Sequence, residues 1–214
     1  MKIALAAAAD PALALTVAAA IPAHAAENTF ADCPALPAGA DPGQWRCEVL
    51  YSTATMSFGD VRNLPLGPMR LTFAEGQLNG RYAQVFGALR SEPVAVPGLP
   101  HATVRFGYGG HSDFLSNDQR KGEIDLVAEF DAPYLPRDCA TGVIHSVLQA
   151  DGPTEVVSTD PLTLRFATHD DTLAVPGTRN CGPLGRVVDH RLGLPAASGT
   201  NSYTQTTTVR LRDY

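Results

Sequence analysis

The segment EIDLVAEF, residues 123–130, decides the fold class of this chain of 214 residues. Apolar side chains occupy every second position from Ile124 to Phe130, and the residues between them are acidic except for Val127. Alternation with a period of two is typical of a β-strand with one face in a core and the other in water. The segment therefore predicts a strand at the wall of a hydrophobic core.

Comparable short segments follow one another from residue 46 to the C-terminus, and no window there has a helical period. They are residues 46–58, 69–74, 81–89, 103–108, 123–130, 143–149, 162–166 and 203–212. Glycine and proline separate them, and either Glu75-Gly76 or Asn79-Gly80 reverses the chain in a hairpin. This pattern predicts an all-β, antiparallel domain of about eight strands, folded as a sandwich or a barrel.

Two of these segments suggest a position in the sheet. Residues 143–149 are apolar on both faces, which predicts a central strand with His145 in the core. Threonines alternate through residues 203–212, and we expect an edge strand there, with Arg210 and Arg212 as charges that discourage pairing with another chain.

Residues 1–26 have the features of a secretory signal peptide, and residues 27–214 would then form one β domain. Lys2 precedes an apolar stretch, Pro22 ends it, and Ala23-His24-Ala25 places small residues at a cleavage site. Asp10-Pro11 interrupts the apolar stretch. No later stretch is long enough to span a bilayer, so we expect a secreted or envelope-associated protein with no transmembrane segment in the mature chain.

Four cysteines lie in the exported region, and an oxidising compartment would pair them. Three pairings are possible, and we favour Cys33–Cys47 with Cys139–Cys181 because each pair lies in its own half of the chain. No Cys-x-x-Cys motif is present and no histidine has ligand spacing from a cysteine, so we predict neither a metal site nor a cofactor.

The net charge of −6 argues against nucleic acid as a partner, because phosphate backbones bind basic surfaces. An envelope macromolecule or another secreted protein remains the expected partner.

The densest polar stretch, residues 107–122, is predicted to be a long loop that contacts a ligand, with a solvated connection as the alternative. The residues expected to bind are Tyr108, His111, Asp113, Asn117, Asp118 and Arg120. No catalytic residue is assigned, because Phe114 replaces the second glycine of a Gly-x-Ser-x-Gly elbow. Leu115 likewise breaks the spacing of a calcium loop.

An acidic row of Glu123, Asp125, Glu129 and Asp131 shares one strand face. We interpret it as the solvent side of the strand; a cation site, a sugar site or a general acid and base is the alternative.

Three further segments carry a resemblance. They are Gln44-Trp-Arg-Cys-Glu48, Leu71-Thr-Phe-Ala-Glu-Gly76 and Asn201-Ser-Tyr-Thr-Gln-Thr206. Together they resemble uncharacterised exported β-rich proteins of actinobacteria over most of the mature chain. The resemblance implies export from a Gram-positive cell with a GC-rich genome and implies no activity.

The leading hypothesis from the sequence is a non-catalytic binding or structural module of the envelope or the extracellular space. One alternative is a secreted hydrolase whose site draws on His111, Asp113, Asp118 and the Glu123 strand. The other alternative is a carrier that binds a small apolar ligand inside a barrel. A large apolar cavity would support this alternative.

Overall fold

The computed structural model describes residues 29–214, and the expected signal peptide lies outside them. Twelve antiparallel strands form one curled sheet, which confirms the all-β, barrel-like fold class. The strands are β1 (Trp45–Phe58), β2 (Val61–Leu78), β3 (Arg81–Ser91), β4 (Val94–Ala95), β5 (Thr103–Asp113), β6 (Arg120–Asp131), β7 (Ala140–Thr141), β8 (Ile144–Ala150), β9 (Glu155–Thr159), β10 (Leu162–Asp170), β11 (Thr178–Arg179) and β12 (Ser202–Asp213). One helix, α1 (Gly185–Leu192), and the 3-10 turns Pro42–Gln44 and Gly182–Leu184 complete the described elements.

The main strands lie in the order β5-β6-β8-β10-β12-β1-β2-β3. The sheet curls until its outer members, β3 and β5, meet through side chains and not through a backbone ladder. The rings of Phe86 and Tyr108 stack with centroids 3.7 Å apart. The backbone N–H of Phe114 donates to Oε1 of Gln84 at 2.9 Å. The structure is therefore a half-barrel whose inner face holds the core.

Two tight turns set the register of the first three strands. Asn79 and Gly80 both have positive φ, +53° and +73°, so this dipeptide and not Glu75-Gly76 makes the β2–β3 hairpin. Gly59 has φ +52° in the β1–β2 turn, where its neighbour Asp60 donates a backbone hydrogen bond to Leu192 O at 2.9 Å. The second turn is thus joined to the end of α1.

The segment before β1 covers part of the outer face of β1–β3, and in β1 and β2 residues on both faces are buried. The disulfide Cys33–Cys47 ties this segment down, and Asp32 pairs with Arg70 and Arg90. The approach is so close that a Cβ on Gly87 would lie 2.5 Å from the carbonyl oxygen of Asp32. The second bridge, Cys139–Cys181, confirms the other predicted pair.

Three expectations about local structure are wrong. Strand β12 lies between β10 and β1 in the middle of the sheet, and the Arg212 guanidinium lies 4.8 Å from the Phe30 ring centroid. The strand β8 is central as predicted, but its His145 side chain is 52% exposed and pairs with Asp125 at 2.8 Å. The helix α1 was not predicted, because only Val188 and Leu192 mark its buried side.

The predicted long loop is also much shorter in the structure. Strand β5 continues to Asp113 and β6 begins at Arg120, so only residues 114–119 connect them. The glycines that suggested a loop lie in the β5 strand, where a Cβ on Gly109 would lie 2.8 Å from the backbone of Asp125. The two glycines lie in an irregularity of the β5–β6 ladder between Tyr108 and Ser112, where the absence of a side chain permits the close approach of the two strands.

Candidate functional site

A cavity of about 350 Å³ opens at one end of the half-barrel, where β1 and β10 begin and β2 and β12 end. Elsewhere the inner face is filled by large buried side chains such as Met56, Phe58 and Phe130. One wall of the cavity is apolar and consists of Phe114, Leu162, Leu164, Phe166, Val209 and Leu211. The opposite wall carries ionisable groups. A mainly apolar cavity with a few polar groups is the usual form of a small-molecule site.

The alternation of the strands directs these side chains inward. On β1, Arg46 and Glu48 share the face of the buried Leu50, and Arg46 lies opposite Glu75 of β2. On β10, Leu162, Leu164 and Phe166 take the same inner face.

Two carboxyl groups meet on the polar wall. Nε of Arg46 lies 2.9 Å from Oε1 of Glu48 and 2.9 Å from Oε1 of Glu75. Both carboxyl groups therefore contact the same guanidinium nitrogen and lie close to each other. Neither is well exposed, since each side chain keeps 12% of its accessible surface. Repulsion between two neighbouring, poorly hydrated carboxylates favours the protonation of one of them.

Burial and the neighbouring charge place the proton on Glu48. Desolvation, followed by repulsion from Glu75, raises the pKa of Glu48 to about 8, although Arg46 acts in the opposite direction. At neutral pH the Glu48 side chain is thus an uncharged acid that can donate a hydrogen bond.

Tyr82 of β3 completes the polar wall. Its hydroxyl donates to Oε2 of Glu75 at 2.5 Å, and the amide nitrogen of Gln84 donates to the same hydroxyl. Burial, together with the bond to Glu75, raises the pKa of Tyr82 above its ordinary value. The carboxylate of Glu75 therefore accepts hydrogen bonds from Arg46 and Tyr82 and lies beside the carboxyl group of Glu48.

Lys121 stands at the rim of the cavity, at the start of β6. Its Nζ donates to the carbonyl oxygen of Asn117 at 2.9 Å, which leaves two of its three N–H donors for other partners. Within residues 29–214, no carboxylate lies close enough to Lys121 to form an ion pair. Its charge thus faces the cavity without a counter-ion.

The six residues predicted to bind a ligand lie outside this cavity. Tyr108 is half-buried in the stack that joins β5 to β3, and Asp118 is exposed in the connecting loop. Three others serve the loop and the outer face of the sheet: His111 lies 3.1 Å from Glu123, and Arg120 lies 3.2 Å from Asp113.

The sixth, Asn117, holds the loop itself. Its side-chain oxygen accepts from the backbone N–H groups of Gln119 and Arg120, and its carbonyl oxygen positions Lys121. The residues of this region that line the cavity are Phe114, Leu115 and Ser116 of the loop and Lys121 at the start of β6, and none of them is among the six.

The acidic row on β6 lies on the outer face, as we interpreted it. Its members pair with neighbours: Glu123 with His111 and Arg120, Asp125 with His145, and Glu129 with Arg105. In the described part of the chain, no group of three or more histidine, cysteine or acidic side chains could hold a metal ion.

The sequence contained one signal for the site that was not used. Arg46 and Glu48 occupy positions of β1 that alternate with outward residues and continue into Leu50, Ser52 and Ala54. Charged residues on an inward face are uncommon and mark either an ion pair or a functional site. The predicted strand, residues 46–58, already contained Arg46 and Glu48, but its alternation was not followed to assign them to the inner face.

Two other grooves are larger, about 430 Å³ and 450 Å³, and both lie on the outer face of the sheet. Threonines of β1 and β12 line the first, and the second contains the paired Arg105 and Glu129. Neither combines an apolar wall with a buried ionisable pair, so the inner cavity is the stronger candidate.

The chain matches none of the protein-family models, curated proteins or solved structures with which it was compared. No described helix has both the length and the apolar character needed to cross a membrane. The function must therefore be argued from the cavity itself.

Proposed function

We propose that this protein is an exported, non-catalytic module that binds a small ligand in the cavity at the end of the half-barrel. One observation carries the proposal: the inner face of the sheet is packed except at this end, where an apolar wall faces Arg46 and the poorly exposed carboxyl groups of Glu48 and Glu75. On entry, a ligand would lose its hydration water and would contact both the apolar wall and the polar groups. The removal of apolar surface from water is the main driving force for such binding.

The proposed location is inferred from the two disulfide bonds and from the signal-peptide pattern of residues 1–26. Two disulfide bonds persist in oxidising compartments, which agrees with the secreted or envelope-associated location predicted from residues 1–26. The resemblance to exported proteins of actinobacteria supports the same proposal and adds no activity to it.

The hydrolase alternative has less support. Its glycosidase form needs an acid and a second carboxylate about 5–9.5 Å apart, with room for water or sugar between them. Here the two carboxyl groups share one guanidinium nitrogen of Arg46, each at 2.9 Å. The contacts with Arg46 hold the two carboxyl groups in place, so a ligand in the cavity would lie beside the pair and not between its two members.

The experiment is a ligand screen by thermal melting on the disulfide-bonded protein and two variants. A ligand that binds only the folded state raises the melting temperature by mass action. The panel contains fatty acids, other lipids, sugars and wall glycans. Leu164→Trp fills the cavity, and Thr206→Trp places the same side chain on the exposed outer face of β12.

We expect at least one ligand to stabilise the native protein and the Thr206→Trp variant but not Leu164→Trp. A ligand that stabilises both variants equally would place binding elsewhere and contradict the proposal. A panel without any shift would also contradict it.

A further inference from the structure

We infer, on the basis of the proposed function, that the ligand is an amphiphile with an anionic head group, which pairs with Lys121 while its apolar body lies against the β10–β12 wall. Nothing in the sequence patterns had singled out Lys121 as a binding residue. The inference rests on the charges around the cavity and on how each is compensated.

The ionisable groups facing the cavity come from four strands: Arg46 and Glu48 of β1, Glu75 of β2, Tyr82 of β3 and Lys121 of β6. Burial and repulsion from Glu75 favour the protonated form of Glu48 at pH 7, so the pair of carboxyl groups carries one negative charge. Arg46 lies against both groups and balances that charge. Lys121 is left as one positive charge without a partner.

A ligand that supplies one negative charge would make the cavity neutral. A cationic ligand would add to the charge of Lys121 and would have to ionise Glu48 to find a partner. A neutral ligand would leave Lys121 partly desolvated beside an apolar wall, which is unfavourable for an unpaired charge. The charge balance therefore favours an anion, and a carboxylate suits the two free donors of the ammonium group.

The wall opposite the polar cluster defines the rest of the ligand. Leu162, Leu164 and Leu211 are only partly covered by protein, and Phe114 and Val209 lie buried beside them. These side chains are aliphatic or aromatic and supply no hydrogen bond, so they match a hydrocarbon body. A cavity of about 350 Å³ is at the small end of the usual range for ligand sites, which suits a short or medium chain.

Lys121 is held in position for this role. Asn117 accepts from its Nζ and fixes the turn before it with its own side chain. The ammonium group is therefore oriented before the ligand arrives, which lowers the entropic cost of forming the ion pair.

The test compares three probes with the same eight-carbon chain: octanoate, octylammonium and 1-octanol. Their dissociation constants are measured by calorimetry at pH 7 on the disulfide-bonded protein. We expect octanoate to bind about tenfold more tightly than the other two, the factor that corresponds to about 1.4 kcal/mol. Tighter binding of octanol or octylammonium would overturn the anionic head group and leave the proposed function intact.

Variants then locate the head group. Lys121→Met should weaken octanoate binding about tenfold and leave octanol binding unchanged, whereas Lys121→Arg should retain most of the octanoate affinity. Arg210→Met, which removes an exposed cation from the outer face of β12, is the matched control and should have no effect. Equal losses of octanoate affinity in Lys121→Met and Arg210→Met would show that only the net charge of the protein matters, and would overturn the role of Lys121. If none of the three probes binds, the inference falls, and the wider ligand screen above then decides the proposed function separately.

Discussion

The carboxyl groups of Glu48 and Glu75 lie close together across the β1–β2 pair and share one guanidinium nitrogen, Nε of Arg46, which is 2.9 Å from each of them. The arrangement is costly for an ionised carboxylate and favourable for a protonated one. It therefore links the folding of the protein to pH and links ligand binding to the same proton.

The first prediction concerns stability against pH. The pKa of Glu48 is about 8 in the folded protein and near 4.5 when the chain is unfolded. Between these values the folded state binds a proton that the unfolded chain has released, so the free energy of unfolding falls as pH rises. We expect a decrease of a few kcal/mol from pH 5 to pH 8.5, since one pKa unit corresponds to about 1.4 kcal/mol.

Urea unfolding at a series of pH values measures this decrease. Glu48→Gln replaces the protonated acid by a neutral amide and should flatten the curve, whereas Glu155→Gln, on an exposed strand, should keep the slope. An unchanged slope in Glu48→Gln would show that another group is responsible. The series must stop near pH 5, because hydrogen bonds from Arg90 and Arg70 lower the pKa of Asp32 to about 2 and stability is lost again as pH falls below about 4.

A second prediction concerns the pH dependence of octanoate binding. Above pH 8 the ionised Glu48 adds a negative charge to the cavity, so the affinity for octanoate should fall between pH 7 and pH 9. Burial raises the pKa of Tyr82, so this group stays neutral in that interval. Calorimetric titration of the Glu48→Gln variant should show an affinity that no longer falls; a parallel fall in both proteins would contradict the role of Glu48.

A third prediction separates backbone strain from steric contact at two glycines. Gly59 and Gly80 both have positive φ, but a Cβ on Gly59 would lie 2.1 Å from Leu192 O, whereas a Cβ on Gly80 would meet nothing within 4 Å. Gly80→Ala should cost about 1 kcal/mol of unfolding free energy, the ordinary cost of this conformation. Gly59→Ala should cost several times more, because it separates the β1–β2 turn from the end of α1. Equal losses in denaturant unfolding would mean that this junction adjusts freely.

A fourth prediction concerns Asn201, which joins three segments beneath the sheet. Its Nδ2 donates to the carbonyl oxygens of Leu173 and Ala197 at 3.0 Å and 2.9 Å, and its Oδ1 accepts from the backbone N–H of Gly59 at 3.2 Å. Asn201→Ala removes these hydrogen bonds from a buried position and takes away the acceptor of the Gly59 N–H, so we expect a loss of roughly 2–4 kcal/mol. The exposed Gln119→Ala is the control, with a change within about 0.5 kcal/mol. A loss as small as that of the control would show that water replaces the side chain.

Features that depend on short-range interactions were predicted correctly from the sequence, whereas a feature that depends on strand pairing was not. The alternation over residues 123–130 correctly identified β6 and its solvent-facing acidic row, because both depend on neighbouring residues alone. A hairpin at Glu75-Gly76 or Asn79-Gly80 was predicted for the same reason, and the structure places it at the second dipeptide. The edge position assigned to β12 was wrong, since a threonine ladder fits a central strand as well as an edge strand and only the pairing decides between them.

The candidate site could not be derived in the same way. Arg46 and Glu75 are 29 residues apart, and Lys121 comes from the other side of the curled sheet. Their convergence depends on how far the sheet curls, which no local pattern records. Sequence reasoning instead favoured a cluster of neighbouring polar residues, and the structure places most of these in ion pairs or turns outside the cavity.

By itself, the sequence determined the strand content and a chain reversal between residues 75 and 80, because steric preference and side-chain period act over a few residues. The favoured cysteine pairs are confirmed as well, but they were chosen by their position in the two halves of the chain. Only the tertiary structure decided which strands are neighbours and which charged side chains share the cavity. Those properties arise when the sheet curls and brings β1, β2, β3 and β6 to one opening, where distant residues lose water together and change each other's charge state.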